Sequence, residues 1–237
     1  MKKFIITLAF VALSTVSVKA IELGIFSATV GAASNSGVFG GSATETNFND
    51  SGVVGASGGG DGHVREESGV FTDTFTSQFI ELNIGEWISL GYEHTPDSIT
   101  TPTNVDKEGS LTRERSTFVD FDDMNTTYVK LNTPFGLYLL AGTVATDIKI
   151  KITGGGPNTY DNKSINGTIT AAGWQKFIGD SGFGIRAQAS YMDFDDVTVT
   201  NGATTATVAN GGLNSVKADS LAGASAKVAL TYTLGRK

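Results

Sequence analysis

The chain has 237 residues, with 17 Lys or Arg against 24 Asp or Glu and no cysteine. So acidic a balance sets nucleic acid aside as a partner, and the lack of cysteine removes a disulfide framework, Cys-ligated zinc and thiol chemistry together. No run approaches the ~20 consecutive apolar residues that a membrane-spanning helix needs.

Residues 1–20, MKKFIITLAFVALSTVSVKA, start with Lys2 and Lys3, pass through an apolar stretch from Phe4 to Leu13, and close on the small-x-small site Val18-Lys19-Ala20. That is the pattern of a secretory signal peptide, with the mature chain, 21–237, starting near Ile21. The segment holds three of the basic residues and none of the acidic ones, which leaves 14 against 24 and a formal charge of −10.

Beyond the signal, 30 glycines, only four prolines and frequent Thr, Val, Ile and Tyr describe β structure, and apolar residues nowhere keep helical spacing for more than a turn or two. Alternation predicts eight strands, at about 22–33, 70–84, 87–95, 118–132, 137–152, 165–177, 183–194 and 217–234. The connections between them alternate in length. The stretches 34–69, 96–117, 153–164 and 195–216 are long, whereas Gly85-Glu86, 133–136 and 178–182 are short. With antiparallel strands, every long connection falls at one end, and every short turn falls at the other with both chain termini. Outer-membrane barrels are built this way, with short periplasmic turns and long external loops.

In FIELNIGEWISLGYEH (79–94), Ile80, Leu82, Ile84, Ile88, Leu90 and Tyr92 occupy one face, and Glu81, Asn83, Ser89, Gly91 and Glu93 the other. A water-soluble sandwich or lipocalin-like cup would show the same alternation turned inside out. Strand five is read with Tyr138, Leu140, Val144, Ile148, Ile150 and Ile152 toward lipid, and Ala141, Thr143, Ala145, Asp147, Lys149 and Lys151 inward. Strand eight is read with Ala222, Ala224, Ala226, Val228, Leu230, Tyr232 and Leu234 outward, against Ser225, Lys227, Thr231 and Thr233. Trp87, Phe135, Tyr138, Phe177, Phe183 and Tyr232 cluster by the short turns or the C-terminus, where an interfacial girdle of a membrane barrel would lie. The expected fold is therefore all-β: a single antiparallel eight-stranded transmembrane β-barrel with long external loops, sited in the cell outer membrane.

Three segments, FVDFDDMNTTYVKL (118–131), GFGIRAQASYMDFDDV (182–197) and the closing KVALTYTLGRK, resemble the small outer-membrane β-barrel proteins of Gram-negative bacteria, the OmpA/OmpX-like type. They look closer still to short porin-like barrels of marine bacteria and the viruses that infect them. The resemblance implies the lipid bilayer, periplasmic chaperones and the barrel-assembly machinery as partners. Such chains usually close on an aromatic residue, whereas this one ends Gly235-Arg236-Lys237.

An eight-stranded barrel is filled by its own side chains. Glu81, Glu93, Lys130, Lys149, Arg186, Gln188 and Lys227 are the expected inward polar residues, either as a plug of ion pairs or as the lining of a narrow ion path. The repeated run Asp120-Phe121-Asp122-Asp123 and Asp193-Phe194-Asp195-Asp196 offers paired carboxylates at the rim, weak candidates for calcium. Of the two histidines, His63 and His94, the second lies near Asp97 and Ser98. All three sit in one short segment, whereas a nucleophile and its base normally converge from different ones. Gly58-Gly59-Gly60 and Gly154-Gly155-Gly156 lack the Lys-Ser/Thr ending of a phosphate loop, so no cofactor is expected. The sequence thus points to a non-catalytic barrel with acidic surface loops, or to a narrow channel for ions or small solutes.

Overall fold

The computed structural model describes residues 25–47, 64–107, 114–153, 160–201 and 214–235. The expected signal segment, the two triple-glycine runs, His63, Arg236 and Lys237 lie outside the described residues. Eleven strands form one antiparallel sheet: β1 (Phe26–Asn47), β2 (Val64–Ile84), β3 (Ile88–Thr95), β4 (Ile99–Thr100), β5 (Asn104–Lys107), β6 (Glu114–Asn132), β7 (Leu137–Thr153), β8 (Lys163–Phe177), β9 (Phe183–Phe194), β10 (Val197–Thr200) and β11 (Asn214–Leu234). The order β1-β2-β3-β6-β7-β8-β9-β11 closes on itself through β1–β11 pairing, which leaves a ring of eight strands without a free edge. The small strands β4 and β5 pair with β6, and β10 with β11, where unbroken loops were expected.

Several strands run much longer than the sequence pattern indicates. The stretches 34–47 and 64–69, read as loop for their Ser, Gly, Thr and Glu content, continue β1 and β2 in unbroken register. At about 3.3 Å per residue a 21-residue strand such as β2 spans roughly 70 Å, about twice what a tilted membrane strand needs. The excess projects past the membrane at the end of the long connections, which by the usual rule of such barrels faces outward.

The short turns hold at 133–136 and 178–182, and the first is three residues, 85–87. Each has a glycine in the left-handed region; at Gly136 (φ 82) a Cβ would also lie 2.3 Å from the Gln175 carbonyl oxygen, whose backbone N–H donates to the Gly136 carbonyl at 2.8 Å.

On the lower half of the barrel the outer face is apolar. Val228 and Leu230 are 62% and 68% exposed, and Ile80, Leu82, Ile88, Leu90, Leu139 and Ile185 join them in a continuous belt. Trp87, Phe135, Phe183 and Phe26 project at its lower edge, Tyr92 and Tyr191 at its upper edge. Along β9, Phe183 and Tyr191 are eight residues apart, about 27 Å along the strand and roughly 20 Å in height once tilted, close to the ~25 Å apolar band of such barrels.

Strand β7 departs from the expectation. Tyr138, Leu140, Val144 and Ile148 point inward, Leu140 and Ile148 being only 5% and 4% exposed, while Leu137, Leu139 and Ala141 face lipid. Tyr138 therefore leaves the girdle, and Phe177 shares the inward parity of β8. Lys149 stands on the outer face of β7 rather than in the lumen, held by Asp122 at 2.6 Å.

Candidate functional site

The interior is built in tiers, each set by which residues occupy the inward parity. Nearest the short turns, Asn83 donates to Ser27 (3.0 Å) and Thr29 (2.9 Å), Ser89 donates to Asn83 (2.8 Å), and Asn132 donates to Ser89 (3.0 Å). Ser27, Thr29, Asn83 and Asn132 line a vestibule of about 750 Å³ that reaches up to Lys130 and Gln175.

Above the vestibule sits an ion cluster drawn from strands all round the ring. Arg186 of β9 forks onto Glu81 of β2, Nη1 to Oε1 at 2.8 Å and Nη2 to Oε2 at 2.7 Å. Lys130 of β6 donates to Glu81 Oε2 at 2.6 Å, and Tyr128 donates to Oε1 at 2.9 Å. The carboxylate thus accepts four hydrogen bonds, while Glu81, Arg186 and Lys130 are 1%, 1% and 2% exposed. Gln175 accepts from Arg186 Nη2 at 2.8 Å, and the guanidinium lies over the Phe79 ring at 4.5 Å. A second pair, Lys227 with Glu93 at 2.5 and 2.6 Å, stands 5.9 Å from the same ring.

Glycines opposite the aromatic rings make this geometry attainable. Tyr128 lies flat across Gly91, where a Cβ would come within 2.2 Å of the ring, and Phe79 lies across Gly31 in the same way at 2.1 Å. With no side chain below it, the Tyr128 ring tips into the lumen and its hydroxyl reaches Glu81.

The next tier is mainly apolar. Phe39, Phe75, Met124, Leu140, Val144, Ile169 and Met192 pack into a buried cluster, with Tyr138 donating to Gln188 at 2.8 Å at its base. Higher still, Ile148, Ile165, Val197 and Val199 form a second apolar cluster inside the extension. Here the polarity of the wall is reversed, because Thr72, Thr74, Thr143, Asp147 and Thr168 face outward above the tyrosine level. Two bulges, at Asp122/Asn125 and opposite Gly40/Ser42, shift the register by one. Asp123 (φ 53) and Ser220 (φ 52) take left-handed conformations there. Past each bulge the inward residues are Phe121 and Val119 on β6 and Ala218 and Val216 on β11.

Of the six charged residues expected in the lumen from the sequence, Glu81, Glu93, Lys130, Arg186 and Lys227 lie inside, with Gln188, and Lys149 does not. Tyr128 and Gln175 escaped the sequence reading, although their inward parity beside Lys130 and opposite Arg186 marks them. The rim carboxylates do not converge. Asp120 accepts from Thr100 (2.8 Å), Asp122 from Lys149 and Ser98, and Asp196 pairs with Lys217 at 3.2 Å. No group of three or more metal-ligating side chains gathers among the described residues. At Asp122, burial raises the carboxyl's pKa, but the bonds from Lys149 and Ser98 outweigh it and hold it below its usual value. His94 engages Asn125 at 2.9 Å, Asp97 accepts from Thr76 at 2.8 Å, and Ser98 donates to Asp122, so the three do not form a relay.

A closed ring, apolar toward lipid and ionic within, defines a small outer-membrane β-barrel protein. No family model and no curated protein matches the sequence. Among solved structures the chain is similar to OprG of Pseudomonas aeruginosa, at 10% identity, covering 85% of this chain and 96% of that one, with a TM-score of 0.45. It is also similar to the outer-membrane protease OmpT of Escherichia coli (9% identity, 86% and 96%, TM-score 0.42). A third likeness is to Ail, the attachment invasion locus protein of Yersinia pestis, solved with the heparin analogue sucrose octasulfate (11%, 86% and 98%, TM-score 0.35).

Proposed function

We propose that this protein is a sealed, non-catalytic barrel whose outer extension presents an acidic surface for contact with the cell's surroundings. The observation that carries this reading is the interior: an ion crossing the barrel would have to break the Glu81 cluster and then traverse an apolar layer, where an unpaired charge is costly. The outer extension carries Asp97, Asp147, Asp193, Asp195 and Asp219 on or near its polar surface. Such a field attracts cationic partners and repels other acidic ones, with a range set by salt. Segment 1–20 would direct secretion, and periplasmic chaperones with the barrel-assembly machinery would deliver the chain; N-terminal sequencing of the membrane-inserted protein should then begin at Ile21.

Planar-bilayer recording tests the sealed interior: the purified protein should insert without discrete conductance steps. Steps that change with Lys130→Met or Arg186→Met would establish instead the narrow channel, which the cation excess of the lumen favours. Adhesion of expressing cells to a cationic surface tests the contact role. It should fall when Asp193, Asp195 and Asp219 are replaced by Asn, and fade as salt is raised.

A further inference from the structure

We propose that the outer mouth of the barrel is a binding site for one small, uncharged apolar molecule. At this level the lumen no longer fills itself. A cavity of about 470 Å³ lies inside the extension, floored by Phe39, Phe71 and Met124 and walled by Ile148, Val199 and Leu221. That is about three times the ~150 Å³ in which an apolar cavity takes up benzene, and within the range of ordinary ligand pockets. The membrane does not call for this apolar surface, because the outer face of the extension beside it is largely polar, with Thr72, Thr74, Thr143 and Thr168 exposed.

The lining also says what the occupant is not. Among its described residues there is no Lys, Arg or His, and Glu67 alone ionises. A carboxylate, sulfonate or phosphate head would meet no counter-charge and would face Glu67, so fatty acids and other anions fit poorly. A neutral ring system or short alkyl compound leaves no buried polar group unpaired. Because the apolar layer and the Glu81 cluster close the lumen below, the molecule is held rather than passed.

Gly69 supplies the means of testing this. It sits on the inward parity of β2 and lines the cavity, and a Cβ built there meets nothing within 4 Å. Gly69→Trp therefore places an indole in the cup without displacing the wall, and Thr72→Trp, which faces outward on the same strand, serves as control. The full chain in lipid nanodiscs is titrated with the neutral fluorophore N-phenyl-1-naphthylamine and with the anionic 1-anilinonaphthalene-8-sulfonate, against empty discs. The expected result is saturable one-to-one binding of the neutral probe, weakened about tenfold or more by Gly69→Trp and unchanged by Thr72→Trp, with the anionic probe about tenfold weaker. No saturable signal above empty discs, or equal binding by Gly69→Trp, would overturn the site; equal affinity for both probes would overturn the uncharged assignment. Heat-modifiable gel migration shows whether Gly69→Trp has folded, and should it not, Val199→Asp repeats the test with a charge in the wall. A conductance result bears on the plug and leaves this outcome independent.

Discussion

Removing the carboxylate at the centre of the lumen tests the energetics most sharply. Glu81→Gln keeps the side-chain volume but takes away the charge that neutralises Arg186 and Lys130, both almost wholly buried. Breaking a buried pair by deleting one partner typically costs about 3–5 kcal/mol, because the remaining charge is left unpaired, and here two cations are stranded. At 1.4 kcal/mol per factor of ten, the unfolding equilibrium should shift by roughly a hundredfold to several thousandfold. Urea unfolding of the vesicle-inserted protein, followed by emission of Trp87 and Trp174, measures this. Glu93→Gln should cost less, since its side chain is 11% exposed and strands one cation. Replacing the charges together with the hydroxyl that points at them, Glu81→Leu with Lys130→Met, Arg186→Met and Tyr128→Phe, should be near neutral or stabilising, because apolar side chains of like volume avoid the desolvation penalty and leave no buried donor unpaired. A loss under about 1 kcal/mol for Glu81→Gln would refute the reasoning, since buried cations cannot go unpaired so cheaply.

Three further outcomes follow from particular contacts. Leu230→Arg puts a charge on the lipid belt and should destabilise the inserted barrel by about 2–4 kcal/mol in the same assay, whereas Thr72→Arg, above the belt, should be within about 0.5 kcal/mol of neutral. Gly91→Leu drives a side chain into the Tyr128 ring, and should both destabilise the fold and lose additivity with Tyr128→Phe in a double-mutant cycle, because the two positions share one contact. The Asp122 junction should weaken in acid. Its carboxyl has a folded-state pKa below the unfolded one, so its stabilisation is present above the unfolded value and is lost as pH falls through the folded value. Hydrogen exchange of the upper β6–β7 pairing, taken from about pH 5 down to about pH 2, should show that loss in the native chain and not in Asp122→Asn.

The number of strands in the ring, the alternation of long and short connections and the faces of the stretches from Ile80 to Tyr92 and from Val228 to Leu234 were legible in the sequence, because there the larger apolar residues fall on one parity. Strand β7 was not, for a physical reason: Leu137-Tyr138-Leu139-Leu140 is apolar on both faces, and the larger side chains fill the lumen while the outer ones meet lipid. A rule that equates the greasy side with lipid fails once the interior itself turns apolar above the ion cluster. The same inversion hid the length of β1 and β2, whose polar upper halves look like loop although they face water from a sheet. The bulges at Asp122/Asn125 and around Ser220 then exchange the parity in mid-strand, which no period-two reading carries across. The lumen charges were legible because Glu81, Lys130 and Arg186 each sit between two apolar neighbours in sequence. Their common meeting point and the Tyr128 hydroxyl needed the register of the closed ring.

Across the membrane the wall of the barrel is apolar outside and ionic inside, and above the membrane the two faces exchange. The native chain lacks cysteine, so single cysteines at Ile80, Leu82, Leu230, Thr72 and Thr74 can each carry a nitroxide without a background label. Collision rates with oxygen and with a water-soluble nickel complex then report the surroundings of each label in vesicles. Oxygen-dominated collisions are expected at Ile80, Leu82 and Leu230, and nickel-dominated collisions at Thr72 and Thr74. Nickel access at Ile80 and Leu230 equal to that at Thr72 would contradict this arrangement.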